Sequence, residues 1–182
     1  YIEFLKKKKI FKMNEKKIIN FLKGEAFNLN RSLGGKNNIT TLKKIQKILN
    51  KLKIKKIKSG SKVFDWKVPK TWSVKDAFIK DHNGKKIIDI KNNFLHVLNY
   101  SSQVNKTITK KELLKNVYFL KKKPNSIPYV TTYYKKKWGF CLSYNQLKKF
   151  KSNIYKVKID SKFTNSGLDY GELYIKGKTK KK

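Results

Sequence analysis

The chain has 182 residues, 38% of them apolar and 13% aromatic, and carries a formal net charge of +36. This length suits one domain, or one domain with a large insertion, and the aromatic content excludes a disordered chain. No run of about 18 apolar residues occurs, which excludes a transmembrane helix, and the lone Cys141 excludes an internal disulfide or a multi-cysteine zinc cage.

The charge points first to polyanions, because clustered cations release counterions from phosphate. Its makeup argues otherwise. Arg31 is the only arginine among 47 basic residues, whereas nucleic-acid sites favour arginine for its bidentate grip on phosphate and guanine. Asn, Ile, Phe and Tyr are also abundant, the set that an A+T-rich coding sequence supplies without selection for binding. Non-specific polyanion binding that collapses with salt is therefore expected, and a dedicated site is not required.

Residues 1–13 are an unassigned N-terminal extension. The stretch YIEFLKKKKIFK has no cap, no clean period and no apolar core of a signal peptide, so a cytoplasmic chain without a membrane partner is expected. The first residue is Tyr1 and the single methionine is Met13; either the chain is a fragment or residues 1–12 do not belong to the native start. From Asn14 a short helix is expected, with Ile18, Ile19 and Leu22 on one face and Gly24 in the left-handed position after it. Asn28–Gly35 reads as loop. A second helix follows, capped by Thr40, whose stripe of Leu42, Ile45, Leu49 and Leu52 packs on a sheet. Ile54–Lys58 reads as a strand.

Ser59–Ile90 is the least biased stretch of the chain, with Trp66 and Trp72 either side of Pro69. Asn83-Gly84, between Ala77-Phe78-Ile79 and Ile87–Ile90, predicts a hairpin with a type I′ turn. Phe94–Tyr100 is β-prone. Thr109-Lys110-Lys111-Glu112 fits a capping box, and Leu113, Leu114 and Val117 follow at helical spacing. Tyr129–Tyr134 and Trp138–Leu142 read as strands, and Ser143–Gln146 opens a short helix to Phe150. Ile154–Ile159 and Leu168–Ile175 are the last strands, joined through a turn at Asn165-Ser166-Gly167. The order gives an α+β or interrupted α/β pattern, with no internal repeat and a solvated basic tail at 176–182.

Candidate chemistry is sparse. The two histidines, His82 before the Asn-Gly turn and His96 in a strand, are too few for a zinc site without converging carboxylates. Cys141 in an apolar strand reads as buried and inert, since a reactive thiolate needs a partner and exposure. Asp65 and Asp160 sit at strand ends, but no spacing pairs two carboxylates as acid and base. No catalytic residue, bound cofactor or metal ligand is assigned. Trp66, Trp72, Tyr133, Tyr134 and Trp138, interleaved with lysine, form a possible platform for bases or sugars; a sheet core with lysine on its wet face is the plainer reading.

Four blocks carry a family resemblance: SGSKVFDWKVPKTWSVKDAFIKD, LHVLNYS, IPYVTTYYKKKWGFCLS and IDSKFTNSGLDYGELYI. In this order and spacing the chain resembles the N-terminal part of a bacterial aminopeptidase-like family often encoded among polysaccharide-biosynthesis genes. The loop Asn30–Leu33 is similar to the family's Arg-Ser loop, although Gly35-Lys36-Asn37-Asn38 replaces its usual glycine and acidic residues. The resemblance implies a partial zinc-aminopeptidase-like α/β scaffold from 14–59 and 156–175, interrupted by a β-rich inserted domain at 60–155. It places zinc and its ligands in complete relatives, beyond this chain. A truncated or split hydrolase, inactive alone, is the expected function; a basic, aromatic-bearing module for nucleic acid or glycan is the alternative. The missing C-terminal part, or a second copy, is the expected partner.

Overall fold

The computed structural model describes residues 15–27, 29–32, 34–133 and 135–177. Expectations for residues 1–14, for Asn28, Leu33 and Tyr134, and for 178–182 lie outside the described residues.

The architecture is α+β, and its spine is β9 (Ile154–Thr164), in which Tyr155, Val157, Ile159 and Ser161 alternate inward and are buried. That period of two puts four successive residues on one face. β9 lies between β4 (Thr71–Lys80) and β6 (Val104–Thr109), and β5 (Lys86–Asp89) completes an antiparallel sheet in the order β5-β4-β9-β6. Over the inner face lie a 3-10 turn (Phe94–His96), α3 (Lys110–Leu114), the parallel pair β7 (Val117–Tyr118) and β8 (Phe140–Cys141), and α4 (Tyr144–Leu147). Trp72, Ile79, Tyr100, Leu113, Phe140 and Tyr155 are central to the core between them. On the outer face Phe78 is roofed by the ammonium groups of Lys86, Lys80 and Lys158, 4.9, 5.1 and 5.9 Å from its ring centroid. Lysine stems there shelter apolar surface while the charges stay wet.

A second, smaller layer joins residues 15–57 to residues 168–172. α1 (Glu15–Phe21) runs into a π-helical turn (Leu22–Ala26). α2 (Lys36–Ile48) then packs on a ribbon of β1 (Lys53–Ile57) and β10 (Leu168–Glu172). Gly171 lets α2 approach: a Cβ there would lie 3.1 Å from the Leu52 side chain and 3.2 Å from that of Leu42. The hairpin of β2 (Lys62–Val63) and β3 (Trp66–Lys67) stands between the layers in sequence. The whole of 156–164 pairs with β4 and β6, and the chain reaches the β1 ribbon only after Gly167.

Several local expectations change. Thr40 does not cap α2, which starts at Lys36 with Gly35 (φ 100°) as its N-cap; the Thr40 hydroxyl donates to the Lys36 carbonyl instead. Gly24 does not end the first helix, because the π-helical turn carries through it. The Asn83-Gly84 hairpin forms, but only Gly84 has positive φ. The Asp81 carboxylate accepts from the Asn83 and Lys85 amides, making a longer loop than a type I′ turn. Phe94–Tyr100 is a 3-10 turn followed by isolated bridges, Val97 to Phe140 and Asn99 to Thr131. Its amides pair with loops, Leu98 N–H to the Gly139 carbonyl and Asn99 N–H to that of Val130, so no continuous strand can form. For the same reason the described residues 129–133 form one bridge, at Thr131, and Trp138–Leu142 reduces to the two residues of β8. Thr109 accepts from the Glu112 amide as expected, while the Glu112 carboxylate turns to Lys106 rather than back to the cap. Ser143 and Gln146 complete a full capping box.

Two glycines with left-handed backbone separate strain from crowding. Gly84 (φ 81°) has open space around a built Cβ, whereas at Gly167 (φ 85°) that Cβ would fall 2.3 Å from the Ile57 carbonyl oxygen. Gly84→Ala is expected to cost about 1–2 kcal/mol, the left-handed penalty alone. Gly167→Ala should cost more than about 3 kcal/mol because β9, β10 and β1 must also shift. Urea midpoints measure both, and equal losses would contradict this account.

Candidate functional site

The core and the surface meet at one sharp turn, Asn99-Tyr100-Ser101. Tyr100 has φ 67°, a left-handed conformation that costs a bulky residue about 1–2 kcal/mol. It is held by packing and by its hydroxyl, which donates to the Lys70 carbonyl at 2.6 Å. Its ring stacks on Trp72 and meets Tyr133 edge-on at 4.7 Å. Burial, helped by nearby Tyr133, pushes the Tyr100 phenol up to about 12. The next carbonyl, Ser101, accepts from Trp72 Nε1 at 2.9 Å and from Ser161 Oγ at 2.8 Å. The Gly139 amide donates to Ser101 Oγ at 3.2 Å.

The turn presents Asn99 to a cleft beside the loop that carries Arg31. This cavity, ≈ 510 Å³, is lined by Arg31, Phe94, Leu95, Asn99 and Tyr129 among others. Phe27, Phe94, Leu95 and Tyr129 are all substantially exposed large apolar or aromatic side chains, so they give the cleft a greasy rim. Asn99 is 5% exposed; its Nδ2 donates to the Tyr129 hydroxyl at 2.8 Å, and its Oδ1 is buried without a hydrogen-bond partner. Burial and a hydrogen bond with Tyr133 raise the Tyr129 phenol above its ordinary range. An adjoining cavity of ≈ 660 Å³ shares Asn30, Trp72 and Phe94 and is ringed by Lys36, Lys75, Lys91 and Lys162 around Asp160.

Of the five aromatic residues read as a platform, four are described, and they stand in different surroundings. Trp66 and Tyr133 meet on a third concavity, ≈ 1110 Å³, with Asp65, Lys58, Lys67 and Lys70 on its walls. Trp72 is 3% exposed and its indole N–H is spent on Ser101. Trp138 packs edge-on against Phe140 beneath Lys106. Tyr134 lies outside the described residues.

Neither histidine nor the cysteine fits zinc. His82 sits in the hairpin loop, 3.0 Å from Ser152 Oγ. His96 is buried in the 3-10 turn rather than on a strand, with Nδ1 2.9 Å from the Cys141 carbonyl oxygen. Burial holds its pKa below 6.5, against a smaller upward pull from that carbonyl and from Asp89. Burial pushes the Cys141 thiol up to about 12, against the thiolate a metal requires. Among the described residues no three His, Cys, Asp or Glu side chains converge. Among them, too, no helix is long and apolar enough to cross a membrane.

Asn99, Ser101 and the Arg31 cleft were not legible as a site in the sequence. The signal available was Asn-Tyr-Ser within the apolar run FLHVLNYS, a polar pair that a regular strand would not need to bury.

These features define an α+β domain with an irregular, hydrogen-bonded turn at its centre. The chain belongs to the family described as "Domain of unknown function (DUF2172)", whose model matches residues 71–162, the sheet and its covering loops. It is 43% identical over 153 residues to a Clostridium acetobutylicum protein named "Putative polysaccharide biosynthesis protein with aminopeptidase-like domain". That match covers 84% of this chain and 35% of the relative. A crystal structure described as a "putative peptidase" from Clostridium acetobutylicum superposes with a TM-score of 0.81 at 39% identity, over 97% of this chain and 42% of the solved one. The chain thus spans well under half the length of either relative. The aminopeptidase-like resemblance carried by the four sequence blocks agrees with these names.

Two measurements follow from the buried groups. His96 is held neutral in the fold, so the unfolded chain binds the extra proton below pH 6.5 and stability must fall there. His96→Gln should flatten that acid loss in urea titrations between about pH 7 and pH 5; an unchanged pH profile would count against it. Cys141 should resist alkylation in the native protein at about pH 8 and react only on unfolding, as mass spectrometry of timed iodoacetamide reactions would show.

Proposed function

We propose that this chain supplies a β-rich inserted domain and part of the scaffold of an aminopeptidase-like hydrolase, and that its described residues hold no catalytic metal. The observation that carries this reading is the likeness, across nearly the whole chain, to the solved Clostridium protein described as a peptidase. On this reading β1, β10 and α2 belong to an α/β scaffold of zinc-aminopeptidase type, and β2–β9 form the inserted domain. The return to the scaffold, expected at 156, is drawn at Gly167 on this reading, which the pairing of Lys156–Thr164 with β4 supports.

Zinc, which the family resemblance implies, does not suit the residues present. His96 is buried with Nε2 against the Gln146 side chain, the Cys141 thiol is held neutral, and among the described residues no three His, Cys, Asp or Glu side chains converge. Hydrolysis therefore comes from residues beyond these, on the same polypeptide or on a partner. Among the described residues the outer edges of β1 and β10 have no strand neighbour, which makes the ribbon the place where further strands of such a scaffold would pair. Polyanion binding is assigned to the charge alone, since the aromatic residues are dispersed.

Purified residues 1–182 are expected to leave aminoacyl-nitroanilides intact with or without added zinc. Chelator-sensitive release of nitroaniline, lost in a His96 variant, would overturn the reading.

A further inference from the structure

His96 stands where three segments of the inner cover meet. Its ring belongs to the 3-10 turn, touches β8 at Cys141 and touches α4 at Gln146. The hydrogen bonds there fix each proton in turn. In the capping box of α4 the Ser143 amide donates to Gln146 Oε1 at 2.9 Å, and the Gln146 amide donates to Ser143 Oγ at 3.1 Å. With Oε1 so held, the side-chain NH2 of Gln146 is the group that faces His96 Nε2, at 3.4 Å. On the other side of the ring Nδ1 lies 2.9 Å from the Cys141 carbonyl oxygen, which can only accept. Nδ1 therefore carries the proton, Nε2 keeps its lone pair, and the ring is neutral. A second proton would aim an Nε2–H at an NH2. Turning the Gln146 amide over would serve His96 but set an NH2 against the Ser143 N–H. No orientation of Gln146 satisfies both, and at 3% and 6% exposure His96 and Ser143 have little water to turn to. A buried N–H left without an acceptor is costly enough to move the element that holds it.

We propose that His96 and Gln146 form a proton-operated latch: a proton on Nε2 drives the Gln146 side chain out of the cap and releases α4, with the loop it carries, from the inner cover. α4 is only four residues long, so its cap is a large share of what holds it. The Asn145 amide donates to the Pro124 carbonyl at 3.0 Å, its Nδ2 donates to Asn125 Oδ1 at 2.6 Å, and Tyr144 stacks on Phe119 at 5.6 Å. These contacts tie residues 119–125 to α4, so the two move together. The groups that face His96 set the direction of the switch. From β8 it meets the Cys141 backbone, beside a thiol held neutral, and from α4 the uncharged Gln146. From β5 it feels the Asp89 carboxylate, which accepts from Lys86 Nζ at 2.7 Å and from the Lys91 amide at 3.0 Å. Burial opposes the proton more strongly than Asp89 favours it, so the latch opens below the 6.5 of an ordinary histidine and is closed above it. The device needs no bound ligand and stands whether or not the chain serves a hydrolase.

The test uses the whole chain and starts with the unsubstituted protein. Two-bond ¹H–¹⁵N spectra at about pH 7.5 read the His96 tautomer; the proton is expected on Nδ1, and a proton on Nε2 would overturn the latch. The same spectra, followed down to about pH 4.5, give the His96 midpoint, and a ring that takes up no proton in that range leaves no latch to operate. Hydrogen exchange is then measured on both sides of the midpoint, as protection over the unstructured rate at each pH. Below it the Ser143 and Asn145 amides should lose protection at least about tenfold, while Val157 and Ile159 in β9 stay protected. Loss of protection at all four would be unfolding of the whole sheet, and no loss at Ser143 would mean that the cap ignores the proton; either result refutes the proposal. Gln146→Glu keeps the cap through one carboxylate oxygen and offers the other to His96 Nε2–H. Its His96 midpoint should rise by at least about one pH unit, tenfold in proton affinity, and Ser143 should stay protected where the unsubstituted protein has opened. An unmoved midpoint in that variant would contradict the contact. His96→Gln should abolish the pH dependence of Ser143 protection, and its persistence would assign the effect to another group and overturn the latch.

Discussion

The Ser101 carbonyl is the contact on which the larger layer depends. It accepts from an indole on β4 and from a hydroxyl on β9, while the same residue's hydroxyl takes the Gly139 amide. Ser101 is fully buried, so each of these groups would otherwise stand unpaired in a dry interior, at about 1–3 kcal/mol apiece. The covering loops have few strand partners of their own. They are fixed instead by a small polar network, at a place where a sheet protein would ordinarily use a ladder.

That arrangement explains why the turn is left-handed at a tyrosine rather than at a glycine. A glycine there would relieve the backbone but leave a hole where the ring fills the space between Trp72, Tyr133 and Phe163. The packing of one large aromatic residue outweighs a strain of about 1–2 kcal/mol. Strain of this kind persists only where the surroundings over-determine it, and here the Lys70 carbonyl and three aromatic neighbours do so.

Elements governed by neighbours in sequence were legible from the residues alone. The Asn83-Gly84 reversal, the Thr109 and Ser143 caps, the stripe of α2 and the two closing strands all depend on local chemistry. Elements governed by distant partners were not. β6 reads as VNKTIT, where only Val104 and Ile108 are sheltered, so its polar residues hid an edge strand. Phe94–Tyr100 has the composition of a strand, yet amides in it are claimed by distant loops, at the Gly139 and Val130 carbonyls. Gly34 and Gly35, with φ 76° and 100°, start α2 by backbone shape rather than by a capping side chain, which made Thr40 the wrong choice. The cleft was harder still. It needs Arg31, Phe94, Asn99 and Tyr129 brought together from three segments, and no spacing rule joins them. Nor does alternation with lysine along the chain say which rings are exposed: Trp72 is buried under the sheet's covering loops while Trp66 and Tyr133 line a concavity.

The pairing of Lys53 with Glu172 has a consequence for how the protein is made. β1 leaves the ribosome early and its partner arrives only after the whole intervening sheet has been translated. At about 5–20 residues per second that delay is on the order of ten seconds. During this interval α2 has no complete surface to dock on, and the larger layer must collapse first. The ribbon is thus a contact of long sequence separation, and it can close only after the sheet between its two strands has been made.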